Sequence, residues 1–205
     1  MKIKSITKQK GHLVKIDLGD REILLESDFA YEMCLRAGKD LTAAEIEKLL
    51  FESDYRRAKS RALWFLDRAD RSEKVLLQKV TANGIKKEPA IRAIERLKEL
   101  GLVDDTRYAR NLFAKYCEQN VSKRAAYAKM YEKGVPTDII KSVINESETD
   151  EEQQILSLIE RKYKTKITAS DGPQKVAAAL IRKGFSYSDV KSAIKKYTSI
   201  ELIEE

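Results

Sequence analysis

Three glycines set the frame of this chain. Gly84, Gly134 and Gly184 follow one another at steps of 50 residues, and apolar residues hold the same register around each. Val80, Met130 and Leu180 stand four before the glycine, Ile85, Val135 and Phe185 one after it, and Ile94, Ile144 and Ile194 ten after it. Ser72 and Ser122 stand twelve before their glycines, and Gly172 takes that place in the third copy. A fixed period that carries glycine and apolar places together is the mark of stacked helical units, none of which buries its apolar face alone. The predicted fold class is mainly α: three tandem three-helix repeats forming an elongated, curved array.

Each unit reads as three helices, here a, b and c. In the first, a runs over Tyr55–Arg68, b over Ser72–Ala82 and c over Glu88–Leu100. Ser72 caps b, with Leu76, Leu77 and Val80 on one face, and Gly84 supplies the φ > 0 turn that ends it. Pro89 falls in the first turn of c, whose stripe is Ile91, Ile94 and Leu97. Gly101 stops c, Leu102 and Val103 pack back, and Asp104 or Asp105 caps the next helix. The second unit repeats this, with Tyr108, Leu112, Phe113 and Tyr116 on a, b after Ser122, and c ending near Asn145. Glu146–Glu152 then holds five carboxylates, whose repulsion predicts a solvated, mobile hinge. The third unit has a at Gln153–Tyr163, a loop Lys164–Gly172, b from Pro173, and c capped by Ser186 with Asp189. The tail Thr198–Glu205 is expected to fray.

A different pattern precedes the repeats. Val14, Ile16 and Leu18 alternate with Lys15 and Asp17, and Gly19-Asp20 turns the chain into a second strand, Arg21–Glu26. Met1–Thr7 reads as a third strand. A short helix runs from Asp28 to about Arg36, with Gly38 as its stop. Thr42 to Glu45 matches a capping box, and Leu41 with Ile46 completes a hydrophobic staple. The helix they start ends at Ser53-Asp54 or runs on towards Leu66. The predicted domains are therefore a β-containing extension at 1–53, a small hairpin or three-stranded sheet plus helix, and repeats at 54–102, 103–149 and 150–205, the last with the tail.

The net charge is +7, and residues 51–100 hold 13 basic against 8 acidic side chains, so most of the excess falls in the first repeat. Such a balance suits a polyanionic partner, either nucleic acid or an acidic groove on a protein. The longest apolar runs, Ala62–Leu66 and Val176–Ile181, are too short to span a bilayer, and no signal peptide is visible. Cys34 and Cys117 lack metal-ligand spacing and read as reduced core thiols of a cytoplasmic protein.

Catalysis finds little footing. His12 is the only histidine, so no nucleophile–histidine arrangement with a remote base assembles. Asp104 and Asp105 read as caps rather than as a carboxylate pair. Gly38-Lys39 lacks the preceding glycine of a phosphate loop, where Met33 stands, and Asp40 replaces its Ser or Thr. No enzyme, metal or cofactor is expected. A helix-turn-helix over Val80, Gly84 and Ala90 is disfavoured because the first place wants a small residue. Helix c of the third repeat offers Lys191, Lys195 and Lys196, which suit phosphates rather than bases. Tyr108, Tyr116, Tyr127 and Trp64 read as core aromatics.

Ala62-Leu63-Trp64-Phe65-Leu66, Arg71-Ser72-Glu73, Leu76, Lys79 and Gly84 lead to the run from Gly101 to Ala109, Gly-Leu-Val-Asp-Asp-Thr-Arg-Tyr-Ala. In this order they resemble the RecX family of RecA-recombinase regulators. Arg161-Lys162-Tyr163 and Leu180 to Phe185 are similar to the family's final segment, so the resemblance covers roughly residues 55–197. Early in helix b the family often shows an acidic residue, Leu and Arg, where this chain has Val75, Leu76 and Leu77, one basic side chain fewer.

The resemblance implies a cytosolic monomer without chemistry of its own. Such a protein binds the groove of RecA filaments on single-stranded DNA and opposes filament growth, recombination and the linked ATPase and coprotease activities. Weak contact with single- or double-stranded DNA is expected alongside. Surface charge and family similarity together nominate a basic face: Arg68, Arg71, Lys74, Lys79, Arg92 and Arg96 in the first repeat, Lys123, Arg124 and Lys129 in the second, Arg161, Lys162, Arg182 and Lys183 in the third. The alternative is a stand-alone, sequence-independent nucleic-acid-binding helical protein, with steeply salt-dependent affinity.

Overall fold

The structure, a computed structural model, describes residues 1–82 and 84–204, the last five as backbone only. Two compact units divide at Asp104/Asp105. In the first, β1 (Ser5–Lys8), β2 (Leu13–Asp17) and β3 (Glu22–Glu26) form an antiparallel sheet in that order, with Ile16 paired to Ile6 on one side and Ile23 on the other. Helices α1 (Ser27–Glu32), α2 (Ala43–Arg68), α3 (Glu73–Thr81) and α4 (Lys87–Glu99) follow. The second unit holds α5 (Asp105–Glu118), α6 (Lys123–Glu132), α7 (Thr137–Asn145) and α8 (Glu151–Leu158). A π-helical turn (Ile159–Tyr163), α9 (Lys164–Ile167), α10 (Gly172–Arg182) and α11 (Tyr187–Glu204) complete it.

The repeat register closes three equivalent cores. Val80, Met130 and Leu180 are wholly buried, and Ile85, Val135 and Phe185 are buried beside them. Two further sets share the pattern: Leu76, Ala126 and Val176, and Ala90, Ile140 and Val190. Gly84, Gly134 and Gly184 have φ of 77°, 78° and 95°, the left-handed turn only glycine adopts without steric penalty. Ser72 and Ser122 are buried N-caps that accept from the Val75 and Ala125 amides. Such a cap contributes about 1 kcal/mol.

Helix α2 serves two cores. Its first turns place Ile46 and Leu49 against Ile3, Ile16, Leu25, Phe29 and Leu41, while Ala58 and Ala62 pack with Leu76, Ile94 and Leu97 of the first repeat. The Thr42–Glu45 capping box forms with both its bonds. The helix then runs unbroken through Ser53-Asp54, which cap other elements instead. Ser53 Oγ accepts from the Glu26 amide at 2.8 Å, at the start of α1. Asp54 Oδ2 accepts from the Lys86 amide at 3.3 Å, at the start of α4, while Oδ1 holds Arg57 Nη1 at 3.0 Å. Lys86 has no side-chain cap of its own. Asp54→Ala is therefore expected to cost about 1 kcal/mol, the net worth of a typical hydrogen bond, read as a fall in the urea midpoint at unchanged slope.

Several expectations are corrected. The first helix ends at Glu32, because Cys34 itself turns left-handed at φ 49°; Gly38, at φ 88°, serves a later turn. Cys34 is exposed and Cys117 only half-buried, so neither is a core thiol. Trp64 is 52% exposed rather than core, whereas Tyr116 is buried and Tyr108 and Tyr127 pack around it as expected. Leu102 is likewise exposed, and Val103 alone packs back.

The Glu146–Glu152 stretch exposes Glu146, Glu148 and Asp150, as expected, and it also makes several local contacts. Asp150 caps α8, and Glu146 accepts from Ser142 and Arg110, which together hold its carboxyl below the usual range. Glu151 accepts from the Lys123 amide at 2.9 Å, and Glu152 holds Ser192 and Lys196. Helix a of the third repeat does not stop at Tyr163 but continues through the π-turn to Ile167, which shortens the expected loop to four residues, 168–171. Helix α11 passes through Thr198 to Glu204 where fraying is expected; Glu205 lies outside the described residues.

Candidate functional site

The last turns of α2 carry a cation-rich aromatic surface. Trp64 and Arg68 stand one helical turn apart, which brings the guanidinium over the indole at 3.4 Å from its centroid. Arg68 Nη1 also donates to the Trp64 carbonyl at 2.9 Å, one of the acceptors a helix end leaves open. Trp64 meets Phe65 edge-on, with centroids 5.0 Å apart. Around the Phe65 ring lie Arg61 at 5.4 Å, Lys79 of α3 at 5.4 Å and Arg71 at 5.8 Å. Arg71 Nε is shut off from solvent with no hydrogen-bond partner. The ring quadrupoles offset part of the repulsion among these cations, and a bound anion would relieve the rest.

The remaining predicted cations fall elsewhere. Lys74 is exposed on α3. On α4, Arg92 lies 3.7 Å from Glu95 and Arg96 pairs with Glu99 at 2.7 Å, a bond that raises the Arg96 pKa. Arg92 borders a groove of about 520 Å³ with Phe51 and Lys87. In the second unit, Lys123 and Arg124 border a groove of about 310 Å³ with Tyr127 and Lys141. Lys129 sits 5.9 Å from the Tyr116 ring centroid. Arg161 and Lys162 are exposed on the π-turn. Arg182 lines a groove of about 490 Å³ with Tyr163, Lys166 and Lys175, the last paired to Asp171 at 2.6 Å. Lys183 is exposed, and its carbonyl accepts from Ser122 Oγ at 2.9 Å, which ties the third repeat to the second.

Arg61, Lys141, Lys166 and Lys175 complete these surfaces and were not legible as site residues. For Arg61 a signal exists: it lies one turn before Phe65, as Trp64 lies one turn before Arg68. Among the described residues, no cluster of His, Cys, Asp and Glu could hold a metal ion. No described helix is long and apolar enough to cross a membrane.

Three-helix units following a small sheet, with grooves edged by cations, define a helical-repeat fold. Residues 150–194 match the family model described as RecX, third three-helix domain. Over 99% of both chains the sequence is 27% identical to the regulatory protein RecX of Clostridium perfringens (strain SM101 / Type A). It is 26% identical to that of Streptococcus sanguinis (strain SK36), over all of this chain and 79% of the relative. A crystal structure of a regulatory protein RecX superposes with a TM-score of 0.66 at 21% identity, covering 95% of this chain and 98% of that one. RecX from Lactobacillus salivarius gives 0.64 at 20%, covering 70% and 96%. Along nearly its whole length the chain is thus similar to proteins described as regulatory protein RecX, and it shares their fold.

Proposed function

We propose that this protein regulates the RecA recombinase by binding the groove of the RecA–single-stranded-DNA filament, limiting filament growth, recombination and the linked ATPase and coprotease activities. It acts in the cytoplasm as a monomer. The observation that carries this reading is the match to RecX over 99% of both chains. The cation-edged grooves support it, because a filament groove presents acidic side chains and phosphodiesters that such surfaces complement. Contacts spread over several repeats would also bind multivalently, so modest affinity at each gives tight binding overall.

The test is a titration into RecA on single-stranded DNA, following ATP hydrolysis, with anisotropy of bare DNA at the same salt. ATPase activity is expected to fall at concentrations well below those that bind bare DNA. Unchanged ATPase beside tight, salt-sensitive DNA binding would favour a stand-alone nucleic-acid-binding protein instead.

A further inference from the structure

We propose that the cleft between the N-terminal sheet and α2 is a base-binding site for single-stranded nucleic acid, with the Trp64 indole as its stacking platform. The inference deepens the filament reading by naming where the strand is touched, and it rests on that reading for its biological setting.

The cleft has a volume of about 540 Å³, within the 300–1,000 Å³ usual for ligand sites. His12 lines it from the β1–β2 connection, Glu26 from the end of β3, Arg57, Arg61 and Trp64 from α2, and Ile85 from the segment before α4. The walls are held by short bonds. The Ser27 amide donates to the His12 carbonyl at 2.9 Å, the Glu26 amide to Ser53 Oγ at 2.8 Å, and Arg57 is fixed by Asp54 at 3.0 Å. A site anchored on a helix and a sheet is preorganised, which lowers the ordering cost of binding.

The contents select the ligand. The Trp64 indole is half exposed where it lines the cleft, and with Arg68 over one face its other face can take a base, since every base has a π-face to lay on it. Beyond the cleft mouth, Arg68 rests on that ring, and Arg71 and Lys79 crowd the adjoining Phe65. Rings beside cations are the arrangement that binds single strands, bases on the platform and phosphates along the rim. Arg71 Nε, without a partner, is a ready donor for such a phosphate once the side chain shifts towards solvent. Glu26 inside the cleft argues against an acidic peptide, whose carboxylates it would repel, and it can accept from a base N–H. A duplex keeps its bases stacked inside and would leave the platform empty.

Trp64 is the chain's only tryptophan, so its fluorescence reports on the cleft directly. The full chain would be titrated, at one salt concentration, with oligo(dT) of about 15 nucleotides, near the upper site size of a single-strand-binding fold. An abasic oligomer of equal length, a duplex and poly-glutamate serve as comparisons. Oligo(dT) is expected to quench the emission, with the abasic oligomer, the duplex and poly-glutamate quenching little when bound. Equal quenching by the abasic oligomer or by poly-glutamate, or no quenching by oligo(dT) at concentrations where anisotropy shows it bound, would overturn the proposal. Failure of oligo(dT) to bind would do the same. Trp64→Leu should weaken oligo(dT) binding about tenfold and abasic binding hardly at all, while Trp64→Phe keeps most of the affinity. Loss of both ligands equally in a folded Trp64→Leu protein would reject the platform. RecA is absent throughout, so base-dependent quenching beside an unaffected RecA ATPase would sink the filament reading and leave the cleft standing. The reverse pair of results would sink the cleft alone.

Discussion

Gly172→Ala is expected to destabilise the third repeat more than Gly84→Ala destabilises the first. A Cβ on Gly172 would lie 2.1 Å from the Lys166 carbonyl oxygen and 2.6 Å from that of Ile167. These are backbone atoms of α9 and cannot rotate away as a side-chain tip would. Ile167 is itself core, at 2% exposure, and the Gly172 amide donates to the Ala169 carbonyl at 2.8 Å, which closes the short connection against α9. Relief must therefore move backbone that the π-turn and the core both hold. Overpacking costs about 1–3 kcal/mol and sometimes more, and a clash against two carbonyls belongs at the upper end. Gly84→Ala is the control: a Cβ there meets nothing within 4 Å, and only its φ of 77° is penalised. That left-handed conformation costs a residue about 1–2 kcal/mol. Calorimetry on both variants decides. Gly172→Ala should lower the transition of its own unit by the larger margin, and an equal or smaller drop would refute the close-approach account.

The repeat was legible because its two carriers are local. A glycine that ends a helix and an apolar face at helical spacing are both written within one segment, so the cores appeared in register. The same period marked Gly172 as the departure from serine, yet the reason, two carbonyls of α9, is a tertiary fact. Ser53-Asp54 shows the limit in another form. Its capping chemistry was visible, but its beneficiaries, the amides of Glu26 and Lys86, are chosen by the fold. At Glu146–Glu152 charge counting sees repulsion among carboxylates and not Arg110, Lys196 or the Lys123 amide that meet three of them. Trp64 was assigned inside by hydrophobicity. The Arg68 one turn later, which covers its ring, was the sign that this face of α2 meets solvent.

Arg68→Glu with Lys79→Glu is expected to raise the concentration that half-inhibits the RecA ATPase roughly a hundredfold, since a like charge set against a partner's charge costs several kcal/mol. Arg92→Glu with Arg96→Glu should raise it only a fewfold, although the formal charge change is the same. The difference lies in what each cation already holds. Arg92 and Arg96 have Glu95 and Glu99 beside them on α4. Exposed pairs of this kind contribute only about 0–1 kcal/mol to stability, but Glu95 and Glu99 offset much of the positive charge that a filament would meet there. Arg68 and Lys79 instead lie over ring faces, with Arg71 close by, where charge is held at a fixed place but not neutralised. Reversal there removes two contacts with an anionic partner and adds two repulsions at the same point. Helicity and melting of both variants would be checked by circular dichroism, because the α4 reversals also set like charges one turn apart. Equal losses in two folded proteins would mean that the filament senses net charge alone. A greater loss from the α4 pair would move the contact face to the groove beside Phe51.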